Sequence, residues 1–255
     1  MFRPRLIPVL LLKNLALVKS VRFKKHKYIG DPMNAVSIFN HLKADELIFL
    51  DIGASRNDQL ISLEFVREVG EEAQMPFAVG GGIRSMSDIE AIIKVGAEKV
   101  VICTEAGRKP TFIKDATEAF GSTTISVCID VRASWLRGKR TWLLNGREPT
   151  RFTPTDFARL MEEMGAGELI VQSIDRDGMM AGYDIELVRT ISDAVRIPVI
   201  ALGGAGSLKD LLRAHFEGHA SAVAAGSLFV YQSTKRGVLI NYPSVGEVQF
   251  PKHSL

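Results

Sequence analysis

Two glycine runs are the first residues in this chain with the chemistry to hold a ligand. Gly80-Gly81-Gly82 follows the apolar run 76–80, and Gly203-Gly204-Ala205-Gly206 follows the run 197–202. Glycine lets backbone N–H groups approach an anion closely, and a helix starting just beyond favours negative charge. Each run has a follow-on partner, Cys103-Thr104 for the first and Gly226-Ser227 for the second. Taken singly, such glycines only make tight turns. Recurrence at one offset points instead to two anion sites, and so to a ligand with a phosphate at each end. Asp130 is the third feature. Alternation puts it on one face with Ser126 and Cys128, while Ile125, Val127 and Ile129 take the other. It is a candidate general acid or base, with the structuring of a loop as the plainer alternative. Asp177-Gly178 adds a second acidic group near the end of another run.

The elements that must position these residues come in alternation. Runs rich in Val, Ile and Leu at 5–12, 46–51, 76–80, 98–103, 124–130, 168–174, 197–202 and 221–226 read as parallel strands covered on both faces. Amphipathic stretches at 32–43, 59–73, 85–95, 108–119, 154–164, 184–194 and 207–217 read as helices. Asp31 precedes Pro32 as an N-cap, and Ser85, Asp184 and Ser207 are further caps. Eight such units predict an α/β fold, a single (β/α)8 TIM barrel. The 255-residue length agrees with it, since such barrels take about 250 residues. An internal repeat sharpens this. Residues 44–106 slide onto 166–228 without a gap, with 15 of 63 positions identical, where chance gives about 4. The barrel is therefore expected as two half-barrels spanning residues 1–230. An irregular tail over 231–255 follows, with Gly237, Pro243, Gly246 and Pro251 arguing against an eighth helix.

Within a barrel, Arg5, Glu46, Lys99 and Glu168 each begin a strand and share faces with Leu11, Leu50, Cys103 and Gln172. All four should point into the bottom of the barrel, where two cations can pair two anions. They would form either a polar plug or a gate for a small molecule. Symmetry also exposes a loss: on the first strand, the half-barrel counterpart of the fifth, Leu11 stands where a mate of Asp130 would be. Lys19, Arg22, Lys24, Lys25, His26 and Lys27 make the segment after the first strand basic, and it is expected as a long loop beside the ligand mouth.

Lys plus Arg is 32 against 29 Asp plus Glu, a net +3, too mild and too evenly spread for a nucleic-acid binder. No apolar run approaches the ~20 residues of a membrane helix, so no membrane partner is expected. Cys103 and Cys128 are too few for a disulfide scaffold and suit a reducing, cytoplasmic setting. No His, Cys or carboxylate cluster has metal-ligand spacing along the chain, so neither a metal nor a cofactor is expected.

The motifs RLIPVLLLKN, GDP at 30–32, DELIFLDIGAS, PFAVGGGIRS, GAEKVVICTEA, VCIDVR, GAGELIVQSIDRDGMMAGYD and ALGGAG resemble the HisF family, the cyclase subunits of imidazole glycerol phosphate synthase. The likeness covers roughly residues 3–230. It implies a barrel that takes ammonia from a HisH-like glutaminase at its bottom face. Ammonia passes through the lumen and reacts at the top with a bisphosphorylated ribulosyl intermediate, giving imidazole glycerol phosphate and an aminoimidazole carboxamide ribotide. By position, Arg5, Glu46, Lys99 and Glu168 match the family's gate and Glu98 its glutaminase interface. Gly81, Gly82 and Thr104 match one phosphate site. Asp177, Gly178, Gly203, Gly204, Gly226 and Ser227 match the other. Lys19, Asp51 and Asp130 match further active-site positions.

The departures lie at the lumen top. The family's first catalytic aspartate is Leu11, its following Asp-Gly is Asn14-Leu15, a phosphate-binding Asn is Cys103, a Thr is Gln172 and a Ser is Leu202. This combination resembles HisF-like paralogues linked to surface polysaccharide. There the ammonia is thought to feed a separate amidotransferase that turns an acetamido sugar into an acetamidino sugar. Three functions are expected to compete: an ammonia-conducting subunit, a histidine-pathway cyclase, and a non-catalytic activator that binds a phosphorylated ligand.

Overall fold

The computed structural model describes residues 3–135, 138–232, 237–244 and 247. Eight parallel strands form the barrel: β1 (Arg5–Lys13), β2 (Leu47–Asp51), β3 (Phe77–Gly80), β4 (Lys99–Ile102), β5 (Ile125–Ser134), β6 (Glu168–Ser173), β7 (Val199–Leu202) and β8 (Ala222–Ala225). Neighbours pair in chain order, and β8 pairs β1, so the sheet closes. The strands read as unbroken apolar runs because both faces are buried. Outward residues such as Leu10, Phe49, Val79, Val127 and Val171 pack under helices. Inward residues such as Ile7, Val9, Ile48, Val101, Ile170 and Ile200 fill the lumen.

The helices lie where amphipathicity places them: α1 (Pro32–His41), α2 (Leu63–Glu72), α3 (Met86–Lys94), α4 (Thr111–Phe120), α5 (Pro154–Glu163), α6 (Ile185–Ser192) and α7 (Leu208–Phe216). Asp31 accepts from the Asn34 N–H, and Pro32 opens α1. Ser85 with Asp88 and Ser207 with Asp210 form capping boxes at α3 and α7, again 122 positions apart. The stretch expected as one helix over 108–119 is instead a short turn of helix, Thr104–Arg108, followed by α4. Pro110 marks the break, since the residue before a proline is driven from the helical region.

The basic segment after β1 is not a loop. Ala16–Val21 returns antiparallel against β1 and pairs with Lys24–Gly30. Its two-residue turns, Asn14-Leu15 and Arg22-Phe23, all have positive φ, as type I′ hairpin turns require. A second hairpin extends β5 into Gly138–Leu143 at the same rim. After β8, Ser227–Val230 is a single helical turn, and Tyr231–Gln232 pairs Gly237–Val238. Tyr242 then packs on Phe39 and Phe229, and its hydroxyl donates to the Leu6 carbonyl. Gly246 and Pro251, also cited against a terminal helix, lie outside the described residues.

Candidate functional site

At the strand N-termini, the four predicted charges meet. Arg5 pairs with Glu46 and, at 2.7 Å, with Glu168. Lys99 reaches Glu46 at 3.2 Å and Glu168 at 3.0 Å. The ring is electrically balanced, as buried charges require. Ser126 donates to Glu168 at 2.7 Å from within the lumen. Glu98 is exposed at this end, and one of its carboxylate oxygens accepts from the Phe77 N–H at 2.8 Å.

The opposite rim holds two cavities, one per half-barrel. The larger, about 100 Å³, is lined by Asp51, Gly80, Gly81, Gly82, Cys103, Thr104, Cys128, Asp130 and Asn145. The smaller, about 20 Å³, is lined by Lys19, Asp177, Gly178, Gly203, Gly204, Gly226 and Ser227. Leu11 and Gln172 line both and so form the partition between them.

The glycines are sterically required. At Gly81 (φ 139°) a side chain would meet Asp51 at 2.8 Å, and at Gly203 (φ 90°) the Ser173 carbonyl at 2.9 Å. Asp51 and Ser173 are themselves 122 positions apart, so the repeat extends to the close contacts. Gly82 and Gly204 likewise press on the carbonyls of Gln59 and Gly182.

Asp51 accepts from the Gly53 and Ala54 N–H groups at 2.8 and 3.1 Å, so it shapes its own loop while facing the cavity. The Thr104 hydroxyl accepts from the Leu144 N–H at 3.3 Å. Asp177 fastens the first hairpin to the rim by accepting from Ser20 Oγ at 2.7 Å and the Phe23 N–H at 3.3 Å. Burial pushes its pKa up despite these bonds. Gly178 is needed for the same junction, because a side chain there would strike the Ser20 carbonyl. Lys19, expected on a basic loop beside the ligand mouth and matched by resemblance to a catalytic position, lies on a strand instead, where it is buried and donates to the Val9 carbonyl at 2.6 Å. Desolvation lowers its pKa to about 8, against a partial pull from Asp177. Gly226 leaves the space its ammonium occupies. Lys24, Lys25 and Lys27 stay in solvent, and His26 reaches the larger cavity.

Asp130 is 6% exposed. Among the described residues its carboxylate oxygens meet the thiols of Cys103 and Cys128, each at 3.6 Å. Burial raises its pKa to about 7. Asn145, from the turn between Gly138–Leu143 and Glu148–Pro149, also enters the larger cavity and donates to the Ile52 carbonyl. Sequence reasoning missed it, and the positive φ of Leu144 and Asn145 is a turn signal that Asn145-Gly146 carries. Reasoning along the chain also found no ligand spacing, yet Cys103, Cys128 and Asp130 converge within 4.8 Å.

Fold and site together define a (β/α)8 barrel of two half-barrels, each with a glycine-lined cavity at its C-terminal rim. The chain belongs to the family described as histidine biosynthesis protein, which matches residues 5–235. Within it, the chain is a HisF-like barrel of the imidazole glycerol phosphate synthase family. It is 45% identical over 248 residues to a Pseudomonas aeruginosa protein named "Putative imidazole glycerol phosphate synthase subunit hisF2", covering 97% of this chain and 99% of that one. A Leptospira borgpetersenii relative, "Putative imidazole glycerol phosphate synthase subunit HisF", is 42% identical over 245 residues, 96% of each chain. The "Imidazole glycerol phosphate synthase subunit HisF" of Alkaliphilus metalliredigens is 42% identical over 231 residues, covering 91% of this chain and 92% of that one. Among the described residues no helix is long and apolar enough to cross a membrane.

Proposed function

We propose that this barrel receives ammonia from a HisH-like glutaminase docked at the strand N-termini, beside Glu98, and conducts it through the lumen. The ammonia serves amidination of a surface-polysaccharide sugar by a separate amidotransferase in the cytoplasm. One observation carries the reading: the charge ring of Arg5, Glu46, Lys99 and Glu168 is complete, while Leu11 occupies the partition of the opposite rim. Ring closure needs acid and base across that rim, and an apolar side chain moves no proton. The lumen between the ends is lined by Ile7, Ile48, Val101, Ile170 and Ile200. Such a lining accepts neutral ammonia and penalises ammonium, whose charge has no partner there. The glycine-lined cavities support a small phosphorylated ligand at the top, with Thr104 and Ser227 beside it and Lys19 as counter-charge.

The cyclase reading keeps one observation in its favour. Asp130, near neutrality at about 7, and Lys19, at about 8, are suited to proton transfer. The purified barrel and glutaminase, given glutamine and the bisphosphorylated ribulosyl intermediate, separate the two. Glutamine hydrolysis with imidazole glycerol phosphate formation at least about a hundredfold below the family's rate supports delivery alone. Turnover at that rate overturns it. Arg5→Ala should change how much of the glutamine-derived ammonia leaves at the bottom, and no change removes the gate from the proposal.

A further inference from the structure

We propose that Cys103, Cys128 and Asp130 form a zinc site in the wall of the larger cavity. The barrel register builds it. Ile102 pairs Val127, so the next residues, Cys103 and Cys128, stand side by side on β4 and β5. Asp130 lies two residues further along β5, on the same lumen face. Their ligand atoms all fall within 4.8 Å, and each thiol sulfur is 3.6 Å from its own carboxylate oxygen, Cys103 from Oδ2 and Cys128 from Oδ1. A tetrahedral zinc with Zn–S near 2.3 Å and Zn–O near 2.0 Å needs a sulfur–oxygen edge of about 3.5 Å. Each sulfur already stands at that edge length from one oxygen, and a turn of the Asp130 carboxylate is what brings a single oxygen to both.

The carboxylate supplies a second, independent argument. Asp130 is more than nine-tenths buried, and among the described residues its hydrogen-bond partners are two thiols, which are weak donors. A buried carboxylate so poorly held calls for a cation. Two thiolates select a borderline-soft ion over magnesium or calcium. Binding replaces both thiol protons and the proton of Asp130 wherever the acid still holds one: Zn²⁺ joins the two sulfurs and one carboxylate oxygen, and the displaced protons leave to solvent. One net negative charge remains, and Arg132 is the cation that acts on Asp130. Three protein ligands leave a fourth position toward the cavity, for water or an oxygen of the molecule held there. That is the open arrangement of a zinc that does chemistry rather than one that only braces a fold. The site goes beyond ammonia delivery, and it competes with the cyclase reading for Asp130.

The test loads the full chain with Co²⁺ under a non-thiol reductant, removes excess metal, and records absorption and metal content. One ion per chain with thiolate-to-cobalt charge-transfer bands is expected, with loss of the bands on Zn²⁺ addition. Cys103→Ser and Cys128→Ser should each weaken binding more than the 10–100-fold typical of losing a mere supporting contact to a ligand. Absence of the bands, or bands that survive in the double variant, overturns the site. If either variant fails to fold by circular dichroism, the wild type decides. Zn²⁺ should slow modification of both thiols by a thiol reagent at least tenfold, and equal rates with and without the ion overturn the proposal. None of these readouts involves glutaminase, so they stand apart from the test of ammonia delivery.

Discussion

Removing the charge of Glu168 should cost more than any exposed ion pair could. This carboxylate accepts from Arg5 at 2.7 Å, Lys99 at 3.0 Å and Ser126 at 2.7 Å while only 6% exposed. Burial works to raise its pKa, but Lys99, Arg5 and the Ser126 hydroxyl outweigh it and hold the carboxyl below the ordinary 4.5. A lowered carboxylate pKa stabilises the native state above the unfolded value and stops doing so as pH falls below it. Glu168→Gln keeps the shape and leaves two cations sharing Glu46. Removing one member of a buried pair costs about 3–5 kcal/mol. The Arg5 side chain is 32% exposed, so water softens the loss toward the lower end of that range. The expected cost is about 3 kcal/mol, or a fall in Tm of roughly 6–12 °C for a chain of this size. Urea unfolding followed by circular dichroism measures it at neutral pH. The gap between wild type and variant should then narrow as pH drops below 4.5. A neutral-pH difference under about 1 kcal/mol, the value of a surface pair, refutes the reasoning. So does a gap that stays constant with pH.

Lys19→Met should stabilise the protein on the order of 2 kcal/mol below pH 8, because the buried ammonium is penalised there. The advantage should shrink as pH rises toward 10.5, where the unfolded lysine also loses its proton, and thermal melts across that range check it. Sulfate, ionised throughout, should raise the wild-type Tm below pH 8 and raise that of Lys19→Met less, if this lysine faces the anion. Leu11→Asp alone should restore little cyclase turnover, because Cys103, Gln172 and Leu202 still line the rim. Substantial product from that single variant would show that the pocket still fits the original substrate. Gly82→Ala should destabilise by more than about 2 kcal/mol, combining left-handed strain with a clash against the Gln59 carbonyl. Ser85→Ala and Ser207→Ala should each cost about 1 kcal/mol and by similar amounts, since both break the same capping box.

What the sequence made legible follows from which interactions leave a one-dimensional trace. The eight strands are buried on both faces, so their apolar runs are unbroken, and the caps of α1, α3, α6 and α7 sit at fixed offsets. The charge ring was legible because each member opens a strand and alternation fixes its face. The first hairpin was not. Its turns use Asn14-Leu15 and Arg22-Phe23 rather than the Asn-Gly type, and Lys24 to Lys27 imitate a solvated loop. That error hid the burial of Lys19. The cluster of Cys103, Cys128 and Asp130 escaped for a different reason. Metal-ligand spacings are usually sought within a helical turn or a tight loop, where ligands lie two to five residues apart. In a barrel of parallel strands, each turn of the fold carries the chain through a helix before the next strand, so side-by-side residues are separated by one whole β/α unit. Residues 103 and 128 are 25 apart because β4 and β5 are joined through α4. The spacing to search in such a chain is therefore the length of its own repeat unit, counted between positions on the same lumen level. By that measure Leu11 and Leu50, paired on β1 and β2, are the apolar neighbours on the opposite arc. The thiols and the Asp130 carboxylate at this level stand on β4 and β5, while Lys19 and Asp177 serve the other cavity.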